Sequence, residues 1–484
     1  MKSKELLFEL IKSLSKSEKR YFKVFTSVHK ESNNYVKLFN AIHDQNEYDE
    51  DALIEQFKNE DFIRQFSVAK NYLMNLILKS LSNHHQKAKK SMELNEYLTE
   101  IEVLYWKGLY KLAHKRINQA KKIASSYNML HYLLLINYWE RRIEDYISKT
   151  IINEDVVEET QVLLDSYNQQ MQMNFLIKKM QTITKLSIKS TKQSLRPVQE
   201  IFNHKLMRLN EDEIDNFYTK VDYLLLKGIG NSLLGDGEKE FYYKKRLLDF
   251  LEENPHQIKE NPLRYASSLN NILLYYYFQG YPEEYPMYLE KLDNIELKFS
   301  HAKASFYDTK YNLKIGYYLH LRDKQEVSGV LEEMEGHYKN GIIKNSVQAK
   351  MIWEYNMALA HFFLKNTKQC LYWCNSCFVR FDMKTKKYRH DLAISTLIVQ
   401  TFIYFELNHF DLAVKNMELI FSIAKANKYG AAEMAIFKIM REMIYAETTA
   451  GFIEKIDAII KKQATAFINL DKDAVVFWLE SKGY

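Results

Sequence analysis

The sequence predicts an all-α fold in which antiparallel helix pairs repeat along the chain. Glycine (13) and proline (5) are scarce among the 484 residues, although β-sheet proteins need both for their turns. Apolar residues recur at helical spacing in segments separated by regular breaks. The breaks fall near Gly235, Gly280, Arg322, Asn366, Asn408 and Ala450, with weaker ones near Lys111, Thr150 and Gln193.

The six stronger breaks lie 42 to 45 residues apart, which gives a period of about 43 residues. Two helices of about 18 residues and two short turns use about 40 residues, so one period fits one helix pair. One pair cannot bury its own apolar face. We therefore expect about eight pairs to stack into an α-solenoid.

Three regions are predicted along the chain. Residues 1–90 form a helical N-terminal module, and the polar, basic segment 79–91 marks its end. Residues 91–212 form degenerate helix-pair repeats. Residues 213–484 form more regular helix-pair repeats with a C-terminal capping helix.

The N-terminal module is rich in positive charge. Residues 1–30 hold eight basic and three acidic residues, and the segment SLSKSEKRYFKVF predicts a helix that begins after serine caps. Residues 51–81 predict a short helix, a polar break and a long amphipathic helix. That order is loosely like a helix-turn-helix, so contact with DNA is an open alternative. The apolar pattern of the long helix places Phe66, Leu73, Leu76, Ile77 and Leu81 in a core, which favours a docking module.

The segment LNHFDLAV, residues 407–414, resembles a repeat unit of the tetratricopeptide repeat family. Asn408 stands at the turn glycine, Phe410 at the turn aromatic and Ala413 at the small residue of the second helix, with Tyr404 in the first helix. In residues 353–378, Ala358 and Cys370 fall on the small positions of the two helices. The resemblance covers roughly residues 95–470. It implies a right-handed superhelix that binds peptides or proteins, although Leu359 replaces the asparagine of the family's acidic-tail clamp.

All three cysteines lie in CLYWCNSC, residues 370–377. The spacing of Cys370, Cys374 and Cys377 matches the motif that holds an iron–sulfur cluster in radical-SAM enzymes. At i, i+4 and i+7, however, the three side chains share one helix face, where cysteine packs well as a small buried residue. A zinc site would need a fourth ligand, for which His361 is the nearest candidate. We predict buried free thiols without a metal or cofactor.

Known catalytic motifs are missing from the sequence. It contains no H-E-x-x-H, G-x-S-x-G or phosphate-loop pattern, and the glycines of LLLKGIGNSLLGDG (residues 224–237) fit a helix contact and a turn. Three cysteines in so long a chain indicate a reducing compartment. No apolar run approaches the ~18 residues of a membrane span, and we see no signal peptide. The chain is predicted to be cytoplasmic and non-catalytic.

A basic ridge is predicted on the segment 171–199, which holds six basic residues and no acidic one. Lys178, Lys185, Lys189, Lys192 and Arg196 fall within about 60° of a helical wheel, opposite Leu176, Met180 and Ile183. Residues 107–122 hold six more basic residues without an acid. Each segment is either a solvated face or a surface for an acidic peptide or nucleic acid.

These observations predict a protein–protein interaction scaffold that binds a protein or peptide partner on the solenoid surface. The alternative is a transcriptional regulator with a DNA-contacting N-terminal module and a ligand- or peptide-sensing body. An enzyme whose site carries no known motif is a third possibility, and it would need clustered polar residues with perturbed pKa values.

Overall fold

The computed structural model describes residues 6–27, 33–147, 154–187, 195–297, 300–342, 346–381, 389–446, 450–462 and 473–482. These residues form helices and turns with no strand among them, so the predicted all-α class is confirmed. None of the described helices combines the length and apolar character that a membrane span requires. The chain divides into two compact units, residues 1–226 and 227–484. The finer boundaries at residues 90 and 212 stay predictions.

Unit 1 begins with a five-helix cluster. The helices are α1 (Leu6–Ser13), α2 (Lys16–Ser27), α3 (Asn33–Asp44), α4 (Glu50–Gln56) and α5 (Phe66–His85), with a 3₁₀ turn at Asp61–Gln65. Ser15 and Glu18 cap α2 reciprocally, since each side chain accepts a hydrogen bond from the other residue's backbone N–H, at 3.3 and 2.6 Å. Phe66, Leu73 and Ile77 are buried in the shared core, as the apolar pattern predicts.

The rest of unit 1 continues in longer helices. They are α6 (Lys90–Trp106), α7 (Tyr110–Ser126), α8 (Leu130–Ile147), α9 (Glu154–Ser187) and α10 (Arg196–Phe202), followed by 3₁₀ turns at Lys205–Met207 and Glu211–Glu213. The unit boundary falls within α11 (Phe217–Leu234). Helices α6, α7 and α8 share a core of small and aliphatic residues such as Ala113, Ile117 and Ile136.

Unit 2 is a row of packed helices. They are α12 (Gly237–Glu252), α13 (Pro255–Glu260), α14 (Pro262–Phe278), α15 (Tyr285–Asp293), α16 (Ser300–His320), α17 (Lys324–Lys339), α18 (Val347–Phe363), α19 (Thr367–Val379), α20 (His390–Glu406), α21 (Phe410–Ala426), α22 (Ala431–Ile444), α23 (Ala450–Lys462) and α24 (Asp473–Ser481). Helices α14, α16, α18 and α20 each pack on the next, while α17, α19 and α21 pack beside them.

One left-handed turn recurs between paired helices. It occurs at Gly108, Gly235, Gly280, Arg322, Lys365 and Asn408, where φ lies between 59° and 88°. In each turn this residue's N–H bonds the carbonyl three residues back, and the next N–H bonds the carbonyl five residues back. This Schellman arrangement closes a helix, and the next helix begins two residues later at five of these turns and five residues later after Gly280. It confirms helix breaks at or beside five predicted positions, whereas the repeat period and the superhelical stacking stay predictions.

Helix α20 is buried over most of its length. Every residue from 392 to 403 is buried, because α18, α19, α21 and α24 pack around it. Helix α24 lies where the C-terminal capping helix is predicted, and its capping role stays a prediction. It contacts α18 and α20 as well as the preceding α23.

Candidate interaction surfaces

Large apolar side chains are exposed around the turn between α6 and α7. Trp106 ends α6 with 72% of its surface exposed, and Leu109 and Leu112 after the turn are about half exposed. Gly108 makes the turn with φ of 71°. The described residues leave the apolar side chains on both sides of this turn exposed to solvent.

The C-terminal half of α8 adds an aromatic face to this turn. Tyr138, Arg142 and Tyr146 are spaced by four residues and so share one side of the helix. The ring of Tyr146 stacks on that of Tyr110, the first residue of α7, with centroids 4.1 Å apart. The α8 face and the α6–α7 turn therefore form one continuous surface.

Arg142 is held in place by three aromatic rings. Its guanidinium lies 4.9 Å from the ring centre of Tyr105, 5.5 Å from that of Tyr138 and 5.7 Å from that of Trp139. It donates hydrogen bonds to the hydroxyls of Tyr138 (2.8 Å) and Tyr105 (3.2 Å). The hydrogen bond with Tyr105, followed by that with Tyr138, raises the pKa of Arg142, and the pKa of Tyr105 is lowered in turn. The cation is thus oriented before any partner binds.

Lysines without a carboxylate partner among the described residues lie beside these aromatic residues. Of the six basic residues in 107–122, Arg116 pairs with Glu100 and Lys121 with Glu140, both at 3.0 Å. The other four are Lys107, Lys111, Lys115 and Lys122; all are exposed, and no carboxylate of the described residues lies within 4 Å of them. We call Trp106, Lys107, Lys111, Leu112, Lys115, Tyr138, Arg142 and Tyr146 the aromatic–basic surface.

Sequence reasoning found the charge of this surface and missed its aromatic part. The run of bases in 107–122 is visible directly in the sequence. The spacing of Tyr138, Arg142 and Tyr146 was also visible, but it reads equally well as a buried helix face. Only the packing of α6 to α8 shows that this face is open.

The predicted basic ridge lies partly outside the described residues. Lys178 is exposed on α9, where Leu176, Met180 and Ile183 are buried as predicted. The side chain of Lys185, and Lys189 and Lys192 entirely, lie outside the described residues. Arg196 is exposed at the start of α10 and pairs with Glu200 at 3.4 Å. The ridge as one binding surface stays a prediction.

The three cysteines are free and fully buried on α19. Burial raises the pKa of Cys374, and raises that of Cys377 to about 12. The Cys377 thiol donates to the carbonyl of Met351 at 3.4 Å. His361 hydrogen-bonds Glu335 at 2.9 Å, and the described residues contain no group of three potential metal ligands.

The other predicted repeat positions lie in or beside helix contacts. Ala358 and Ala413 are fully buried. Tyr404 is half-buried, and its carbonyl accepts the turn hydrogen bond from His409. Asn408 has φ of 60°, a conformation that asparagine tolerates better than most residues. Their equivalence to tetratricopeptide positions stays a prediction.

A buried ionic cluster joins α17, α18 and α19. Glu354 is fully buried and accepts two hydrogen bonds from the Nε and a terminal nitrogen of Arg380, at 2.7 and 2.8 Å. Ser376 (2.8 Å) and Tyr338 donate to the same carboxylate. Burial, followed by the hydrogen bond with Glu354, raises the pKa of Tyr338 to about 12. Because the partners satisfy the carboxylate, this cluster is a structural ion pair.

A second charged surface lies on α2. Lys16, Lys19, Arg20 and Lys23 line one side of the helix around a shallow depression that also includes Val24. Lys19 contacts the ring nitrogen Nε2 of His43 at 2.8 Å, and no carboxylate of the described residues lies within 4 Å of the four cations. Burial, and repulsion from Lys12 and Lys23, lower the pKa of Lys19. We call these four residues the α2 basic face.

The geometry of the aromatic–basic surface and of the α2 basic face makes both of them candidate binding surfaces. Each places cations on a helical support, and these cations have no acidic partner among the described residues. Comparison with known proteins assigns the chain to no family, since no family model, curated protein or solved structure matches it.

Proposed function

We propose that the chain is a non-catalytic adaptor that binds a protein partner through the aromatic–basic surface. The observation that carries the proposal is Arg142, fixed on three aromatic rings near the exposed Trp106. The few residues that dominate the binding energy of protein interfaces are enriched in tryptophan, tyrosine and arginine. Side chains that are ordered in advance lose less entropy on binding.

The charge of the surface points to an acidic partner segment. Four lysines in 107–122 have no carboxylate near them among the described residues, so a partner's acids meet cations without breaking existing pairs. Charge complementarity of this kind raises the association rate and selects between partners. The partner segment also needs an apolar side chain to cover Trp106 and Leu112.

The aromatic–basic surface belongs, in this proposal, to a cytoplasmic tetratricopeptide-like solenoid with a period of about 43 residues. The left-handed residues Gly235, Gly280, Arg322, Lys365 and Asn408 support that period, since they are 42 to 45 residues apart. The buried free cysteines fit a reducing compartment.

Co-purification of the tagged full-length protein from its native cells, with and without nuclease, tests the proposal. We expect one stoichiometric protein partner that resists nuclease and is lost at least tenfold in Trp106→Ala and in Arg142→Ala. Tyr242→Ala is the matched control, because Tyr242 is 59% exposed on α12 in the other unit. A partner that both surface variants retain would contradict the proposal.

A second candidate function, DNA binding by a regulator, is favoured by the α2 basic face. Lys16 and Lys23 are about 10 Å apart along the helix axis, so the four cations can follow a phosphate backbone. Four phosphate contacts predict that log K falls with log salt at a slope of about −3.6. Fluorescence anisotropy with duplex DNA measures this slope.

The Lys16→Gln, Arg20→Gln double variant is expected to make that slope shallower by about 1.8. A matched double variant, Lys111→Gln with Lys115→Gln, separates the two surfaces. If it changes the slope equally, the α2 basic face is not the DNA site. If no DNA binds at low salt, the regulator function is excluded.

A further inference from the structure

Helix α24 docks an aromatic pair against α18 and α20. The ring of Trp478 stacks on that of Phe402, with centroids 4.5 Å apart and planes inclined by 8°. Phe477 lies 5.3 Å from Phe363 on α18. Both aromatic side chains of α24 are buried, together with Ala474, Val475 and Leu479, so an apolar face attaches this helix.

Polar contacts fix the direction of α24. Glu480 receives two hydrogen bonds from Arg322, at 2.6 and 2.7 Å, although the two residues are 158 positions apart. The indole N–H of Trp478 donates to Glu406 at 3.1 Å. Both partners of the Arg322–Glu480 pair are more than a third exposed, so the pair contributes orientation more than stability.

The groove extends beyond the end of α24. A cleft of about 410 Å³ lies beside the last turn, with apolar walls from Phe362, Ile403 and Leu407. Lys324 and Lys365 also line it, and no carboxylate of the described residues lies within 4 Å of either. Two carboxylates in the lining already have partners, because Glu406 pairs with Lys482 and Glu480 with Arg322. Among the described residues, helix α24 thus fills only part of a groove that has apolar walls and two lysines without a carboxylate partner.

We propose that the groove between α18 and α20 binds an amphipathic helix of a partner protein, and that α24 occupies this site in the free chain. The partner helix carries two adjacent aromatic residues and an acid two positions later, as in Phe477, Trp478 and Glu480. It is longer than α24 and bears a further acid one turn on, which meets Lys324 and Lys365. This site is independent of the aromatic–basic surface.

The length requirement follows from competition with a tethered helix. A helix of nine residues is marginal in isolation, so α24 is ordered by the groove that holds it. Its attachment to the chain gives it an effective concentration in the mM range. A free helix that makes only the same contacts as α24 therefore competes poorly with it. The partner helix needs additional contacts in the open cleft in order to displace α24.

Two labelled peptides test the proposal by fluorescence anisotropy with the full-length chain. One is DAVVFWLESLEEL, which repeats α24 and adds an acidic turn; the other, DAVVFWLESLQQL, replaces the added acids by amides. Trp478→Ala weakens α24 in the chain and leaves the groove walls intact. We expect this variant to bind the acidic peptide at least tenfold more tightly than the amide peptide, and more tightly than the wild-type chain does.

Lys324→Glu combined with Lys365→Glu is expected to abolish the preference for the acidic peptide, while Tyr242→Ala leaves it unchanged. Glu480→Arg is a second way to loosen α24, and keeps the test valid if Trp478→Ala disturbs folding. Hydrogen exchange in the wild-type chain should show α24 losing protection when the acidic peptide is added. The proposal is wrong if neither loosened variant binds a peptide, or if both peptides bind equally.

Discussion

The turns at Gly108 and Asn408 have the same backbone, but the helices that lead into them are covered to different extents. They are 300 residues apart, with φ of 71° and 60°, and each joins two helices of 17 residues. On α6, Val103 is 48% exposed, whereas Ile403 in the same place on α20 is 4% exposed. Trp106, exposed at the end of α6, corresponds to Glu406, which α24 contacts.

This difference teaches that the turn and its helices do not decide what a helix pair does. In unit 2 a helix of the same chain covers the face of α20, and the pair is part of a core. In unit 1 the described residues leave the corresponding face of α6 open. The exposure of an apolar helix face therefore depends on whether a further helix covers the pair.

The largest difference in stability between the two units is expected when the arginine of each side-chain cluster is removed. Arg380→Ala leaves the fully buried carboxylate of Glu354 without its cation, which typically costs about 3–5 kcal/mol of unfolding free energy. Arg142→Ala should leave the unfolding midpoint unchanged, because its aromatic partners remain accessible to water. Urea unfolding followed by circular dichroism measures both variants, and equal losses would show that the two clusters play the same structural role.

The two tryptophans test the coverage of the helix pairs directly. Trp478→Ala should destabilise unit 2 by about 3 kcal/mol, at the low end for such truncations because α24 can detach. Trp106→Ala should leave stability unchanged and reduce partner binding. Thermal unfolding combined with the co-purification assay separates the two effects. A large loss of stability in Trp106→Ala would mean that the α6 face is part of a core.

Substitutions at Gly108 and Asn408 test the left-handed turn that the two regions have in common. Gly108→Ala and Asn408→Ala should each cost about 1 kcal/mol, since alanine is strained at positive φ. A β-carbon at Gly108 would meet no atom within 4 Å, so any cost there comes from the backbone alone. Asn408→Gly should cost nothing. Chemical denaturation measures the three variants, and an unaffected Gly108→Ala would contradict a common turn.

Acid sensitivity should be similar in the two units. Burial opposes ionisation of Glu335, but hydrogen bonds from His361 and Trp373 outweigh it and lower the pKa. The pKa of Glu18 is lowered in the same way, against burial, by Ser15 and His85. A lowered folded-state pKa means stability that is present above the unfolded pKa and lost as pH falls through the folded one.

Unfolding at pH 3 to 7 should therefore show a smaller acid-induced loss of stability in Glu335→Gln and in Glu18→Gln than in the wild type. Glu55→Gln, at a carboxylate whose side chain is 74% exposed, serves as the control. If both variants kept the pH profile of the wild type, these two carboxylates would not be the cause of the acid-induced loss of stability.

Local signals made much of the fold predictable. The breaks at Gly235, Gly280 and Asn408 are visible because a left-handed turn needs glycine or asparagine, or a polar residue in their place, at a fixed point. The burial of Cys370 and its neighbours follows from spacing on one helix. Both signals depend only on residues close together in sequence.

The candidate sites depend on long-range packing and were harder to predict. Whether Trp106 is exposed depends on which helices cover α6, and no local pattern states that. The pairing of Arg322 with Glu480 joins residues 158 positions apart. The α2 basic face lay between these cases, since its charge was visible but its lack of acidic partners was not.

The coverage of α20 by α24 also sets an order of events during synthesis. Helix α24 begins 67 residues after α20 ends. At about 5–20 residues per second, the ribosome needs roughly 3 to 13 seconds to make that stretch. During this interval α24 is not yet available to cover Phe402 on α20. The nascent chain therefore exposes a hydrophobic surface to which a chaperone can bind.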